Sequence, residues 1–336
     1  ADVAHDERSD AFFDTTQPVL AARPMEALQI ALAAQARAGA AGDGLGQVRA
    51  LLLLGMAQSA LGHPERDATL ARALALAEQQ AEPITLVRAV NARVVVDIFN
   101  GRYADALWRG QGILGLTHAL KRDDLLWRLL INLGIAQSSI GEFRMSIGMF
   151  RECLALLGHP LDGQRQQQRH QTVNNLAWSW LGVSRSLAQE GQHHNARLAL
   201  GYARDFAVDA CEGALLQANG VLRASALDTL VGVLLEMGEV EQALEWAARV
   251  AAASNALLQP GTSAWGIHTL ASCRAELAVP GCHPAPILER LRTIENLPGP
   301  MFRSGDLNAA LNRCLYEALR LQGDFRGALA YHRRWL

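Results

Sequence analysis

Apolar residues recur every three or four positions along almost the whole chain, in stretches separated by glycines. The segment "LINLGIAQSSIGEFRMSIGMFRECLALLGHP", from Leu130 to Pro160, shows two such stretches on either side of Gly141. This spacing predicts amphipathic helices, and the dominance of alanine and leucine agrees with it. No alternating pattern of the kind that strands need is present. The sequence therefore predicts an all-α chain.

A glycine followed five residues later by a small residue repeats through the chain. The clear copies are Gly101–Ala106, Gly141–Ser146, Gly191–Ala196, Gly238–Ala243 and Gly323–Ala328; weaker copies are centred on Gly62 and Gly281, and a degenerate first copy has Ala22 and Ala27. These turn positions lie 39 to 50 residues apart. An internal period of this length predicts a solenoid of stacked helical hairpins.

Helix packing explains these residue types. A glycine can end the first helix of a hairpin in the left-handed conformation, where a Cβ would be strained. A small residue early in the second helix lets the two backbones approach, as Gly55 and Gly134 do from the first helix. An aromatic residue such as Phe150 then fills the space between hairpins. Because no hairpin can bury its apolar face alone, stability comes from stacking.

Two segments interrupt the regular pattern. The glutamine-rich "HPLDGQRQQQRHQTVNN" is either a loop or a polar helix extension, and the helix propensity of Gln and Arg favours the extension. The segment "ENLPGPMFRSGD" holds two prolines and two glycines and is predicted to be a loop.

The hairpins resemble tetratricopeptide repeats (TPRs). One copy carries Gly134, Gly141, Ser146, Phe150 and Pro160, and another carries Gly55, Gly62 and Pro83; the resemblance covers about residues 8 to 336. It implies a right-handed superhelical solenoid of about eight hairpins in a single domain over residues 1–336, with four repeats up to about 160 and four from about 161. The chain would then be a fragment of a longer protein.

This sequence departs from the TPR family in its period, which is nearer 40 than the usual value of about 34, and in lacking most of the tyrosines expected in the first helices. The longer units resemble the helical repeats of bacterial signalling proteins and of maltose-activator-type transcription regulators.

Composition excludes several classes of function. The 31 Lys and Arg nearly balance the 33 Asp and Glu, so no basic footprint for nucleic acid is present. No apolar run is long enough to span a membrane, and the five scattered cysteines are typical of reduced, mostly buried thiols in a cytoplasmic protein. We expect no metal and no cofactor.

No motif for catalysis is present: the chain has no phosphate-binding glycine loop, no GxSxG, no HExxH and no Cys–His zinc spacing. We therefore name no catalytic residue and expect this chain not to be an enzyme; Asp228 and Glu317 are the only acid–base candidates. The tryptophans at 108, 127, 178, 180, 246 and 265 are expected in the core. Trp178 is the exception, because its register turns it toward the concave side.

The resemblance also implies which residues face the groove. In peptide-binding TPR proteins, defined positions of the first helix carry Arg, Lys and Asn that hold a partner. Those positions here hold Arg49, Arg88, Asn91, Arg128, Asn132, Arg185, Asp228 and Arg313. A column of guanidinium groups favours a protein or peptide partner, or a small anionic ligand. The alternative is that these arginines pair with acids on adjacent helices or extend into water.

The last copy, "GDFRGALAYHRRWL", carries no residue that would stop its second helix. This junction resembles those of bacterial signalling proteins in which a diguanylate cyclase (GGDEF) output domain follows. The resemblance implies a non-catalytic sensor domain whose partner changes the curvature of the array or its assembly as a homodimer. The alternatives are a free-standing protein-interaction adaptor and the sensor arm of a maltose-activator-type regulator.

Overall fold

The computed structural model describes residues 11–158, 162–254, 256–297 and 305–335. Within these ranges the secondary structure is helical, with no strand. The helices are α1 (Phe12–Ala22), α2 (Pro24–Ala41), α3 (Gly44–Ala60), α4 (Arg66–Gln80), α5 (Pro83–Phe99), α6 (Tyr103–Ala119), α7 (Asp123–Ser139), α8 (Phe143–Leu157), α9 (Gly163–Gln189), α10 (His193–Leu215), α11 (Gly220–Met237), α12 (Val240–Ser254), α13 (Ser263–Leu277), α14 (Pro284–Glu295), α15 (Gly305–Gln322) and α16 (Phe325–Trp335). The all-α class is confirmed.

The helices follow one another as hairpins, and the turns lie where the repeat predicts them. The seven turn glycines, Gly62, Gly101, Gly141, Gly191, Gly238, Gly281 and Gly323, all have positive φ, between 69° and 88°. The first hairpin turns at Arg23, one residue after the predicted position, and lacks a glycine because Arg23 adopts a negative φ of −143°. The repeat in the sequence therefore corresponds to the hairpins in the structure.

The turn at Gly238 shows how the glycine ends a helix. Gly238 N–H donates to the Leu235 carbonyl at 3.1 Å, and Glu239 N–H donates to the Leu234 carbonyl at 2.8 Å. These two bonds satisfy carbonyls that the end of α11 leaves open, and they need the left-handed residue at 238. Five residues later Ala243 is fully buried, as a close approach of the two helices requires.

The helix starts are also fixed locally. Asp162 caps α9 by accepting a hydrogen bond from the Arg165 N–H at 2.8 Å, and Asn219 caps α11 by accepting from the Leu222 N–H at 3.0 Å. The glutamine-rich segment from Gly163 onward is the first part of α9, so the predicted helix extension is confirmed. Most of the predicted loop, residues 298–304, lies outside the described residues.

The chain divides into two compact units, one ending at Ala136 and one beginning at Gln137. In the N-terminal unit, α3 packs against α2, α4 and α5. Its core consists mainly of alanine and leucine, including Leu52, Leu53 and Leu70. A Cβ at Gly55 would overlap the Leu70 side chain, so this glycine sets the distance between α3 and α4.

In the C-terminal unit, the first helices of successive hairpins pack side by side: α9 contacts α11, α11 contacts α13, and α13 contacts α15. The longest helices, α9 and α10, also pack against each other. Two apolar clusters form this core, one around Leu227 and Leu230 and one around Leu270 and Leu315. The first helices therefore form one continuous layer, which positions the cleft described below.

Trp108 contradicts the expectation of a core position. Its side chain is 75% exposed on α6, because the helix turns its buried face toward Ala106 and Gly110 and leaves position 108 outside. Four of the cysteines are buried, Cys282 is half-buried, and all five are free thiols. No helix in the described ranges combines the length and the apolar character that a membrane span requires.

Candidate binding cleft

The layer of first helices in the C-terminal unit encloses a cleft of about 570 Å³. Its lining comes from α9, α11, α13 with the residue that follows it, and α15, and includes Trp178, Arg185, Asp228, Gly232, Leu235, Glu236, Arg274, Leu277, Ala278, Asp306, Ala309, Ala310, Arg313, Cys314, Glu317, Arg320 and Leu321. The volume is in the range of ligand pockets in proteins. Four of the predicted site residues, Trp178, Arg185, Asp228 and Arg313, meet here.

Ion pairs join most of the charged side chains of the cleft. Arg185 Nε donates to Glu236 Oε1 at 2.7 Å, linking α9 to α11. Arg274 Nη1 donates to Asp228 Oδ1 at 2.5 Å, linking α13 to α11. Within α15, Arg320 Nε donates to Glu317 Oε2 at 3.0 Å. Three arginines of the lining therefore already hold carboxylates from the same chain.

The Arg274–Asp228 pair is built into the helix layer. Gly232 leaves the space that the guanidinium occupies, since a Cβ there would lie 3.1 Å from Arg274 Nη2. Burial alone lowers the pKa of Arg274, but the charge of Asp228 and its hydrogen bond outweigh that effect and raise the pKa. Arg274 therefore stays charged, and Asp228 is occupied by it. The same pairing keeps Asp228 from acting with Glu317 as an acid–base pair.

Asp306 differs from the other acids of the cleft. It lies in the first turn of α15 and is exposed, and no hydrogen bond or ion pair joins it to any residue in the described part of the chain. The enclosing cleft walls raise the pKa of Asp306, the neighbouring charge of Asp228 raises it further, and Arg185 lowers it. The cleft therefore presents one carboxylate that the fold does not neutralise.

The thiol of Cys314 faces the cleft wall but is only 5% exposed. Burial raises its pKa to about 12. Because the nucleophile is the thiolate, a thiol with this pKa stays protonated and unreactive at neutral pH. Cys314 is therefore a packing residue of α15.

The predicted arginine column of the N-terminal unit has acids beside it. Arg49 is 7% exposed and lies close enough to Glu82 to help lower that carboxylate's pKa; burial opposes this lowering, and hydrogen bonds to Thr85 and Ile84 add to it. The pKa of Asp124 is also lowered. Burial opposes this lowering, Arg122 is its main cause, and the charge of Arg88 contributes to it. The guanidinium of Arg88 also lies 4.6 Å from the ring centre of Phe13. These contacts favour the alternative in which the arginines pair with acids on adjacent helices.

The two predicted groove asparagines contact each other. Asn132 Nδ2 donates to Asn91 Oδ1 at 2.9 Å and to the Arg128 carbonyl at 2.8 Å. The amides therefore link α5 to α7 and position the backbone at Arg128. The structure brings the side chains of Asn91 and Asn132 together, and their role as groove residues stays a prediction.

The sequence pattern did not point to Asp306, Arg274 or Glu236. Glu236 lies two residues before the turn glycine Gly238, at a groove position that the register could have identified. Asp306 was included in the predicted loop because of the prolines and glycines before it, whereas α15 begins at Gly305. The signal available was a carboxylate at a helix start, which is too common to indicate a site.

No known family model and no curated protein sequence matches the chain. Solved structures do match. The apo form of the quorum sensor NprR from B. thuringiensis has a TM-score of 0.59 at 12% identity, covering 90% of this chain and 79% of that chain. A Rap protein complexed with competence and sporulation factor has a TM-score of 0.52 at 14% identity, covering 96% and 95%. Both are TPR-like repeat proteins, so the TPR-like fold of this chain is confirmed.

Proposed function

We propose that this chain is a non-catalytic, regulatory TPR-like domain that binds a segment of a partner peptide in the cleft of the C-terminal unit. The observation that carries the proposal is the cleft itself: four successive first helices line it, and they combine an aromatic ring, apolar side chains and fixed ion pairs. Such a mixture of apolar walls and a few placed polar groups is typical of binding sites. The buried thiol of Cys314 and the paired carboxylates supply no nucleophile or free acid–base couple.

The two similar structures support a regulatory role. One is a quorum sensor, and the other was solved in complex with competence and sporulation factor. A stacked array also suits regulation, because each hairpin contacts only its neighbours and small rotations add along the array. A bound peptide changes the array only as far as it prefers one arrangement over another.

The experiment is a binding screen on an array of randomised heptapeptides, each acetylated and tethered at its carboxyl end. Fluorescently labelled protein is applied in three forms: wild type, Ala309→Trp and Ala252→Trp. Ala309 lines the cleft, so an indole there fills it. Ala252 is exposed on α12, so the same substitution there is the matched control.

We expect a subset of peptides to bind the wild type and the Ala252→Trp variant with equal affinity. The same peptides should not bind Ala309→Trp. Circular dichroism of each variant verifies that it folds. If no peptide binds the wild type, or if binding survives in Ala309→Trp, the cleft is not the site and the proposal fails.

The finer assignment is to a bacterial signal-transduction protein with a diguanylate cyclase output domain. It rests on the resemblance of the sequence "ALAYHRRWL" to such junctions. Reading the gene on both sides of this segment tests it. A GGDEF motif within a few tens of codons after Leu336 supports it, whereas a stop codon there favours the adaptor, and an upstream ATPase favours the maltose-activator-type regulator.

A further inference from the structure

We infer that Asp306 recognises a basic side chain, lysine or arginine, of the peptide that binds the cleft. This inference rests on the proposed function and names the chemistry of the partner. It also reverses the expectation of an anionic ligand, because the charged groups of the cleft are distributed differently from what the arginine positions alone indicate.

The distribution of ion pairs carries the argument. Among the acids that line the cleft, Asp228, Glu236 and Glu317 each hold an arginine of the same chain at 3.0 Å or less. Asp306 holds none in the described residues. A peptide that enters the cleft therefore meets a carboxylate that holds no arginine, whereas Arg185, Arg274 and Arg320 each hold a carboxylate of the same chain. Charge complementarity favours a cation at this point.

The surroundings of Asp306 make its negative charge costly. Charged groups from every helix of the lining share the cleft with it: Arg185 from α9, Asp228 and Glu236 from α11, Arg274 from α13, and Arg313 and Glu317 from its own helix α15. The nearby carboxylate of Asp228 repels it, and burial and that repulsion raise its pKa. A bound ammonium or guanidinium group would offset that repulsion and lower the pKa of Asp306 toward its ordinary value.

The apolar part of the cleft fits the rest of such a side chain. Leu277 and Ala309 line the cleft together with Asp306. Lysine and arginine carry three or four methylene groups below the charge, and these groups pack on apolar surface while the charge reaches a polar partner. One side chain thus satisfies both the carboxylate and the apolar wall.

The test uses the same peptide array, on which acetylation removes the amino-terminal charge, so that any preference for a cation must come from a side chain. The protein forms are wild type, Asp306→Asn, Asp306→Lys and the control Asp205→Lys. Asp205 is an exposed acid on α10, outside the cleft. The peptide that binds most tightly is then synthesised with its basic residue intact and with glutamine in its place, and affinities are measured by fluorescence anisotropy.

We expect the wild type and Asp205→Lys to select peptides with Lys or Arg at one fixed position. Asp306→Asn should weaken binding about 10- to 100-fold, the usual effect of losing a charged hydrogen bond. Replacing the basic residue by glutamine should weaken binding to the wild type by the same factor. The same replacement should change the affinity for Asp306→Asn only slightly. Asp306→Lys should select Asp or Glu at that position instead.

Three results would overturn the inference. If the selected peptides show no preference for a basic residue, or if they bind Asp306→Asn as tightly as the wild type, Asp306 is not the recognition residue. The cleft and the proposed function would still stand. Selection of acidic residues by the wild type shows an anionic ligand. Absence of any binding peptide removes the inference together with the proposed function. Asp306→Asn is nearly isosteric, so its folding is verified by the same circular dichroism melt as the wild type.

Discussion

Each unit of the chain places an aspartate among arginines, but the two aspartates are in opposite situations. In the N-terminal unit, Asp97 on α5 is 1% exposed. It accepts hydrogen bonds from Arg102 at 2.7 Å and from Arg109 at 3.0 Å, and Arg93 lies 3.6 Å away. In the C-terminal unit, Asp306 is exposed to the cleft and holds no arginine of the described chain.

This comparison teaches that residue type does not separate a structural cluster from a binding site. Asp97 and its three arginines satisfy one another, so the cluster fixes the turn between α5 and α6. Asp306 has no arginine at ion-pair distance among the described residues, so it does not join its neighbours in the same way. The useful criterion is whether each buried or enclosed charge finds its partner within the chain.

Removing the carboxylate of Asp97 should have the largest effect. Asp97→Ala leaves three arginines close together without their shared anion, so we expect the free energy of unfolding to fall by about 3–5 kcal/mol. Urea denaturation followed by circular dichroism measures it. The matched control is Asp105→Ala on the neighbouring helix α6, where the aspartate is exposed; a change of less than about 0.5 kcal/mol is expected there. Equal effects of the two substitutions would show that the Asp97 cluster is not structural.

The units should not differ in how tightly their helices pack. A Cβ at Gly55 would overlap Leu70, and a Cβ at Gly213 would overlap the ring of His170. Gly55→Ala and Gly213→Ala should therefore each lower the free energy of unfolding by about 1–3 kcal/mol. These values come from the same urea titrations.

Two other helical glycines serve as controls, because a Cβ would meet nothing within 4 Å at Gly112 on α6 or at Gly201 on α10. Alanine should stabilise each helix by about 0.5–1 kcal/mol. If Gly213→Ala were harmless while Gly55→Ala destabilised, the C-terminal unit would be the more loosely packed of the two, and its cleft could then reflect loose packing instead of a built site.

Substitutions at residues with positive φ should change the free energy of unfolding by smaller amounts, and with opposite sign in the two units. Gly238 has a φ of 78°, and a Cβ there would meet no atom, so Gly238→Ala adds only backbone strain and should cost about 1 kcal/mol. In the N-terminal unit Ala81 adopts a φ of 51°. Ala81→Gly should relieve that strain and raise the free energy of unfolding by up to about 1 kcal/mol. The greater conformational entropy of glycine in the unfolded chain reduces this gain. Thermal melts compare both; a loss in Ala81→Gly would contradict the strain argument.

The hairpins could be predicted from the sequence because their cause is local. A left-handed residue must be glycine in most cases, and the small residue five positions later follows from the approach of two helices, as Gly238 and Ala243 show. The site could be predicted only in part. Trp178, Arg185, Asp228 and Arg313 follow from the register, but the partners of Arg185 and Asp228 lie on neighbouring helices, 51 and 46 residues away along the chain. Asp306 was missed because its helix starts inside a segment rich in turn residues.

Asp306→Asn should have the smallest effect on stability, and its sign is the opposite of that for Asp97→Ala. The folded pKa of Asp306 is raised above its ordinary value by desolvation between the cleft walls and by the charge of Asp228. Between the two values the native state binds more protons than the unfolded state, so this residue lowers stability as the pH rises through that window. Asp306→Asn removes that loss of stability. We therefore expect the free energy of unfolding at pH 7 to rise by no more than the roughly 0.5 kcal/mol typical of surface substitutions.

Urea midpoints measured from acid to neutral pH test this prediction. The variant and the wild type should be similar in stability at acid pH, where Asp306 is protonated, and should separate toward neutral pH with the variant more stable. Asp205→Asn is the control, because Asp205 lies 3.4 Å from Arg204 and has a cation as its neighbour instead of a carboxylate; it should not gain stability. A variant that gains stability at neutral pH while losing a basic peptide would show that Asp306 is kept for binding at the expense of the fold. A loss of stability would instead place Asp306 with Asp97, as a structural charge whose partner belongs to the chain.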